Sequence, residues 1–80
     1  MAHIENHTLY MTNTCPYCIR VLRFMEDAGI TMEMRNIAQP EYAAELVAIG
    51  GKRQVPCLVI DGKAMYESAD IIAYLKKNYA

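Results

Sequence analysis

The sequence predicts an α/β protein with the element order β-α-β-α-β-β-α, a mixed four-stranded sheet packed with helices. Three observations carry that reading. Short β-rich or alternating runs take turns with helical apolar spacings along the chain. Asp61-Gly62 stands between two short strand-like runs as a two-residue hairpin signal. Turn signals recur at short intervals, with no internal repeat, low-complexity tract or linker between them. With 80 residues the chain fits one domain, residues 1–80, and is too short for two separate cores.

Element by element, residues 7–11 ("HTLYM") read as a first strand. Pro16 suits the first turn of a helix, where its missing N–H would be unpaired anyway, and this makes Cys15 the N-cap. Cys18, Val21, Leu22, Met25 and Ala28 then share one face, and Gly29 stops the helix. "ITMEMRN" alternates, with Ile30, Met32 and Met34 on one side of a strand and the methionines at core spacing, where they fill space. Pro40 opens a second helix that Gly50 and Gly51 close. "CLVI" (57–60) is a buried strand, and "KAMY" (63–66) returns beside it through Asp61-Gly62. Ser68 is the expected N-cap of a last helix, with Ile71, Ile72, Leu75 and Tyr79 facing inward. The first β-α-β unit should cross over right-handed, giving parallel strands, with the closing hairpin antiparallel to them.

Composition narrows the function. Hydrophobic residues make up 54% and charged residues 21%, enough apolar material for a core. A net charge of −1 gives no reason to expect nucleic acid or an anionic membrane as partner. No apolar run approaches the roughly 18 residues that cross a bilayer. The start, "MAHIENHTLYM", lacks the basic-then-apolar pattern of a signal peptide. Three cysteines are too few for a disulfide-stapled secreted domain, so the expectation is a cytoplasmic protein in a reducing compartment.

The chemistry concentrates in "CPYC", Cys15 to Cys18. Residues three apart on a helix share a face, with Cβ atoms about 5–6 Å apart, close enough for a disulfide after modest adjustment. Cys15 at the cap has its sulfur by unpaired N–H groups and the positive end of the helix dipole, which favours thiolate. Cys18 lies one turn in, toward the core, and keeps its proton longer. One thiol attacks and the other resolves, which is the asymmetry that disulfide exchange needs. The rival is half of a zinc site. That needs two further ligands, with Cys57, His3 and His7 to draw on, but Cys57 lies in an apolar strand and both histidines read as part of a loose N-terminal segment.

With "CPYC" at 15–18, "VP" at 55–56 and "ESADI" at 67–71, the sequence resembles the glutaredoxin family over essentially its whole length. The resemblance implies a thioredoxin-like fold and glutathione-dependent reduction of protein disulfides and glutathione mixed disulfides through a redox-active Cys15–Cys18 pair. It implies a cis Val55–Pro56 bond facing the dithiol, with the Val55 backbone free to pair with a peptide-like substrate. Otherwise Pro56 is a strand-entry proline. Ser68, Ala69 and Asp70 would hold the γ-glutamyl end of glutathione, backbone N–H groups taking its carboxylate and Asp70 its ammonium. By themselves Ser68 and Asp70 are ordinary helix-start residues. Lys52 or Arg53 would pair with the glycine carboxylate, or else form a solvated face. Tyr17 and Gln54 complete the expected glutathione site. Glu67-Ser68 also resembles the corresponding turn of glutathione transferase N-terminal domains. Cys57 reads as a buried, inert thiol.

Two departures from the family pattern stand out. Thr12 occupies the position where many glutaredoxins carry a lysine, and Gln54 precedes Val55-Pro56 in place of the usual threonine. The first removes one stabiliser of a Cys15 thiolate. It feeds a rival reading, a redoxin of the same fold that takes electrons from a thioredoxin reductase and ignores glutathione. A further rival is a binding module in which Cys15 and glutathione hold an iron–sulfur cluster across a dimer. The expected partners are glutathione and disulfide-containing or glutathionylated proteins, met as a monomer with no metal.

Overall fold

The computed structural model describes residues 2–79. The element order is β1 (Ala2–Met11), α1 (Pro16–Ala28), β2 (Ile30–Asn36), α2 (Pro40–Gly50), β3 (Cys57–Ile60), β4 (Lys63–Met65) and α3 (Ser68–Tyr79), as the sequence predicts. The sheet order is β2-β1-β3-β4. β1 pairs with β2 in parallel and with β3 antiparallel, and β4 runs antiparallel to β3.

The sheet divides the core in two because neighbouring strand residues point to opposite faces. Leu9, Met11, Met32 and Leu58 join Cys18, Val21 and Met25 of α1 and Ile71 and Leu75 of α3 on one face. Tyr10, Cys57 and Val59 meet Ile37 and Leu46 of α2 on the other. Leu9, Leu58, Ile71 and Leu75 are fully buried. Arg35 ties α2 to the sheet through its ion pair with Glu45, with Glu33 of its own strand as a second partner, and Tyr10 donates to the same Glu45 carboxylate at 2.9 Å.

Four expectations need correction. The first strand begins at Ala2, not at residue 7. Ala2 and His3 pair with Ile30 and Thr31, and a register shift between His3 and Thr8 absorbs the extra length. Asn6 takes a left-handed φ of 62° within that shift. The histidines are therefore not in a loose segment. His7 is buried, its Nδ1 donating to the Glu5 carbonyl at 2.8 Å, which leaves Nε2 to accept from the Tyr74 hydroxyl at 2.9 Å. Second, Met34 is half-exposed on the groove between α1 and β2, because β2 is an outer strand with no neighbour beyond it. Third, Ser68 is the first helical residue rather than the cap. Ile71 donates its N–H to the Glu67 carbonyl at 2.9 Å, so Glu67 holds the cap position. Fourth, Tyr79 is exposed rather than inward, meeting His7 and Tyr74 edge-on.

Candidate active site

The loop after β1 delivers Cys15 in an extended conformation (φ −88°, ψ 122°) immediately before Pro16, which starts α1. Extended geometry at the cap followed by proline leaves the first N–H groups of the helix facing the Cys15 side chain. The N–H groups of Cys18 and Tyr17 hold the Cys15 thiol below its ordinary range, Cys18 contributing most, against a smaller opposing effect of burial. Cys15 closes no side-chain cap hydrogen bond, so the effect comes from N–H dipoles pointing at the sulfur rather than from a formed capping bond. The Cys18 thiol, donating toward the Cys15 sulfur, adds to the depression. Among the described residues no cationic side chain contributes.

Cys18 is the opposite case. It is fully buried among the side chains that join α1 to the sheet, and desolvation pushes its pKa up. The Thr12 N–H, 3.5 Å from its sulfur, offsets part of that rise. Both cysteines are free thiols. One helix start thus holds an accessible, acidified sulfur and a buried, protonated one side by side. That pairing can attack a disulfide with the first sulfur and close on it with the second.

The Cys15 sulfur stands beside a cleft of about 280 Å³ lined by Tyr17, Gln54, Val55, Pro56, Tyr66, Glu67 and Ser68. The Cys15 sulfur lies 3.9 Å from the Val55 carbonyl, and the Val55–Pro56 bond is cis. Five of the expected binding residues, Tyr17, Gln54, Val55, Pro56 and Ser68, therefore share one wall system. Ala69 and Asp70 are exposed on the first turn of α3, beside Ser68 but outside the lining. Lys52 and Arg53 are exposed in the segment between α2 and β3. The Lys52 ammonium sits 5.4 Å over the Tyr66 ring, and the Arg20 guanidinium 6.0 Å from the Tyr17 ring.

Tyr66 and Glu67 are the lining residues that sequence reasoning did not single out as site residues. Glu67 lay inside the "ESADI" stretch. Tyr66 was legible only as the end of a strand, since its partners lie elsewhere in the chain. The proposed zinc ligands do not converge. Cys57 is on the α2 side of the sheet and Cys18 on the other, and His7 is engaged with Glu5 and Tyr74. Among the described residues no three His, Cys, Asp or Glu side chains group as metal ligands. No described helix is long and apolar enough to cross a membrane.

Comparison with known proteins places these features. The family described as "Glutathione S-transferase, N-terminal domain" matches residues 9–80. A glutaredoxin from Neisseria meningitidis is 38% identical over 59 residues, covering 71% of this chain and 69% of that protein. The glutaredoxin-like protein NrdH of Escherichia coli is 36% identical over 52 residues, 65% of this chain and 64% of its own. Glutathione transferase Omega 3C from Trametes versicolor superposes with a TM-score of 0.80 and 26% identity over 96% of this chain. The chain spans about a third of that transferase, 36% of its length. The glutaredoxin of Archaeoglobus fulgidus superposes with a TM-score of 0.71 and 22% identity, over 89% of this chain and 86% of that one, which shows the shared fold. With its thioredoxin-type fold, its paired thiols and these relatives, the chain is a thiol–disulfide oxidoreductase and belongs to the glutaredoxin family.

Proposed function

We propose that the protein reduces disulfides with glutathione, using Cys15 as nucleophile and Cys18 as resolving thiol. The observation that carries this reading is the unlike pair itself: an acidified Cys15 at the lip of a cleft, next to a fully buried Cys18 whose pKa is raised. The Cys15 thiolate attacks one sulfur of a substrate disulfide, forming a mixed disulfide and expelling the other sulfur as thiolate. Cys18, losing its proton, attacks the Cys15 sulfur, closes the Cys15–Cys18 disulfide and releases the second substrate thiolate. Two molecules of glutathione reopen it. The first forms a mixed disulfide with Cys15, and the second attacks that bond and leaves as glutathione disulfide. For glutathionylated substrates Cys15 alone completes the cycle with glutathione. A potential of roughly −200 to −230 mV is ordinary for such a pair.

The cleft suits the tripeptide in chemistry. Tyr17 and Pro56 give apolar walls, and the Val55 backbone stands beside the reacting sulfur. Gln54 extends that wall on the side of Lys52 and Arg53, either of which supplies a cation for the glycine carboxylate. Ser68 and Ala69 open the N-terminal end of α3, where backbone N–H groups attract a carboxylate, and Asp70 takes the ammonium. The setting we assign is a monomer in the reducing cytoplasm, where such a dithiol stays reduced between cycles.

The test is glutathione-dependent reduction of a small mixed disulfide by wild type, Cys15→Ser and Cys18→Ser. Turnover in the wild type, none in Cys15→Ser, and retained turnover in Cys18→Ser are expected. Activity surviving in Cys15→Ser would sink the role assignment. The second reading, a redoxin fed by thioredoxin reductase without glutathione, draws on Thr12 and on the likeness to NrdH. It is favoured if the wild type is inactive with glutathione but turns over with NADPH and thioredoxin reductase.

A further inference from the structure

Tyr66 lies just beyond β4, with its ring packed against the core on the α2 side and lining the cleft. Its hydroxyl accepts from the Lys52 N–H at 3.3 Å and donates to the Lys52 carbonyl at 3.1 Å. One side chain thus satisfies both backbone polar groups of a residue that no helix or strand serves. The Lys52 ammonium lies over the same ring, 5.4 Å from its centroid. Among the described residues, no other hydrogen bond ties Lys52, Arg53 or Gln54 to the rest of the fold.

Space for that hydroxyl comes from the missing side chain at residue 50. A Cβ built on Gly50 would overlap the Tyr66 hydroxyl. The two adjacent glycines therefore serve different ends. Gly51 is the left-handed cap of α2 at φ 83°, where an L side chain is strained. Gly50 stays within the helix and is needed for room alone.

We propose that Tyr66 is a positioning residue. By clasping both backbone groups of Lys52 over Gly50, it fixes the segment that leads into the Gln54–Val55 wall of the cleft. It thereby sets how tightly the cleft holds glutathione without entering the thiol chemistry. The glutathione part of this inference rests on the function proposed above. Gln54 and Val55 line the cleft two and three residues along from the clasped residue. Freedom at Lys52 is therefore freedom in the wall, while Cys15 and Cys18 draw their character from α1 and Thr12.

Two variants of the full chain test it. Tyr66→Phe keeps the ring and its packing and removes both hydrogen bonds. Gly50→Ala pushes the ring away from the other side. Loss of this clasp should raise the KM for glutathione roughly five- to thirtyfold in each, from one to two hydrogen bonds, with kcat and the pH profile of Cys15 alkylation unchanged. The double variant should be no worse than the poorer single variant, because both break one contact. A merely structural tyrosine would lower the melting temperature and leave KM alone. An unchanged KM in both variants, or a fall confined to kcat, overturns the proposal. If wild type shows no turnover with glutathione, the glutathione reading fails separately, and amide hydrogen exchange decides the clasp. Faster exchange at Lys52 to Gln54 in Tyr66→Phe, with Tyr17 and Cys18 unaltered, upholds it, and equal rates overturn it.

Discussion

A third thiol beside a redox pair would scramble the disulfide unless it were kept silent, and Cys57 is silenced by packing. It is fully buried among Tyr10, Ile37, Leu46 and Val59, on the face of the sheet turned away from Cys18. Desolvation pushes its pKa from the ordinary thiol value of 9.0 up to about 11, with a smaller opposing contribution from the Met65 backbone. The folded value is the raised one, so this group contributes stability below pH 9 that is lost as pH rises toward and through 11. The unfolded chain releases its proton first and is favoured by doing so. At about 1.36 kcal/mol per pH unit the full loss is about 2.7 kcal/mol, of which about half is gone at pH 10. Against a total of about 5–15 kcal/mol for a native protein, that is readily measured. The perturbation is Cys57→Ala, and the assay is urea unfolding of variant and wild type between pH 8 and pH 11. Taking the difference cancels the tyrosines, lysines and other thiols that titrate in both proteins. The wild-type advantage should shrink by about 1.4 kcal/mol by pH 10 and by about 2 kcal/mol by pH 11. A difference that stays flat across this range would refute the assignment of a buried, desolvated thiol. Native protein treated with iodoacetamide at pH 8 should also leave Cys57 unlabelled until it is unfolded.

Cys15 should behave in the opposite way. Its alkylation rate should reach half-maximum at a pH below the ordinary thiol value of 9.0, and a midpoint at or above that value would remove the helix-start argument. The lowered folded value also means that ionised Cys15 stabilises the fold above the unfolded pKa, a contribution lost as pH falls through the folded one. Leu75→Ala empties a fully buried position between α3 and the sheet and should cost about 2–5 kcal/mol in urea unfolding, so a loss below about 1 kcal/mol would mean that α3 repacks freely.

What the sequence makes legible here is what local pattern encodes. Alternation in "ITMEMRN", helical spacing after Pro16, and Asp61-Gly62 each name an element, and all seven elements stand in the predicted order. Residues 3–6 carry one buried apolar side chain, Ile4, and the shift between His3 and Thr8 breaks the period of two, so the strand's beginning has no alternating signature. Ser68 differs from the observed cap by one residue, within the usual ambiguity of helix ends. The cis Val55–Pro56 bond was readable from family resemblance, since nothing in the dipeptide itself demands it. Tyr66 escaped notice for a different reason. Its role depends on a backbone 14 residues away and on a side chain that Gly50 lacks, and neither leaves a periodic trace.

The absent lysine at position 12 has a consequence that salt can expose. Where an exposed ammonium stabilises a thiolate, the attraction is screened, falling off over about 8–10 Å at ionic strengths near physiological. Here the Cys15 depression comes from the N–H groups of Cys18 and Tyr17 and from the Cys18 thiol, dipoles held within a turn of the sulfur. Contacts that short leave no room for intervening ions. The midpoint of Cys15 alkylation should therefore move little between about 0.01 M and 1 M salt, a range over which the screening length falls from about 30 Å to about 3 Å. Thr12→Lys should do two things together. It should lower the midpoint further at low salt by adding an opposite charge, and return it toward the wild-type value at high salt. A wild-type midpoint that climbs steeply with salt would show that side-chain charge, not the start of α1, activates Cys15. The backbone account predicts instead that the glutaredoxin thiolate survives the loss of its family's lysine because the helix start provides it.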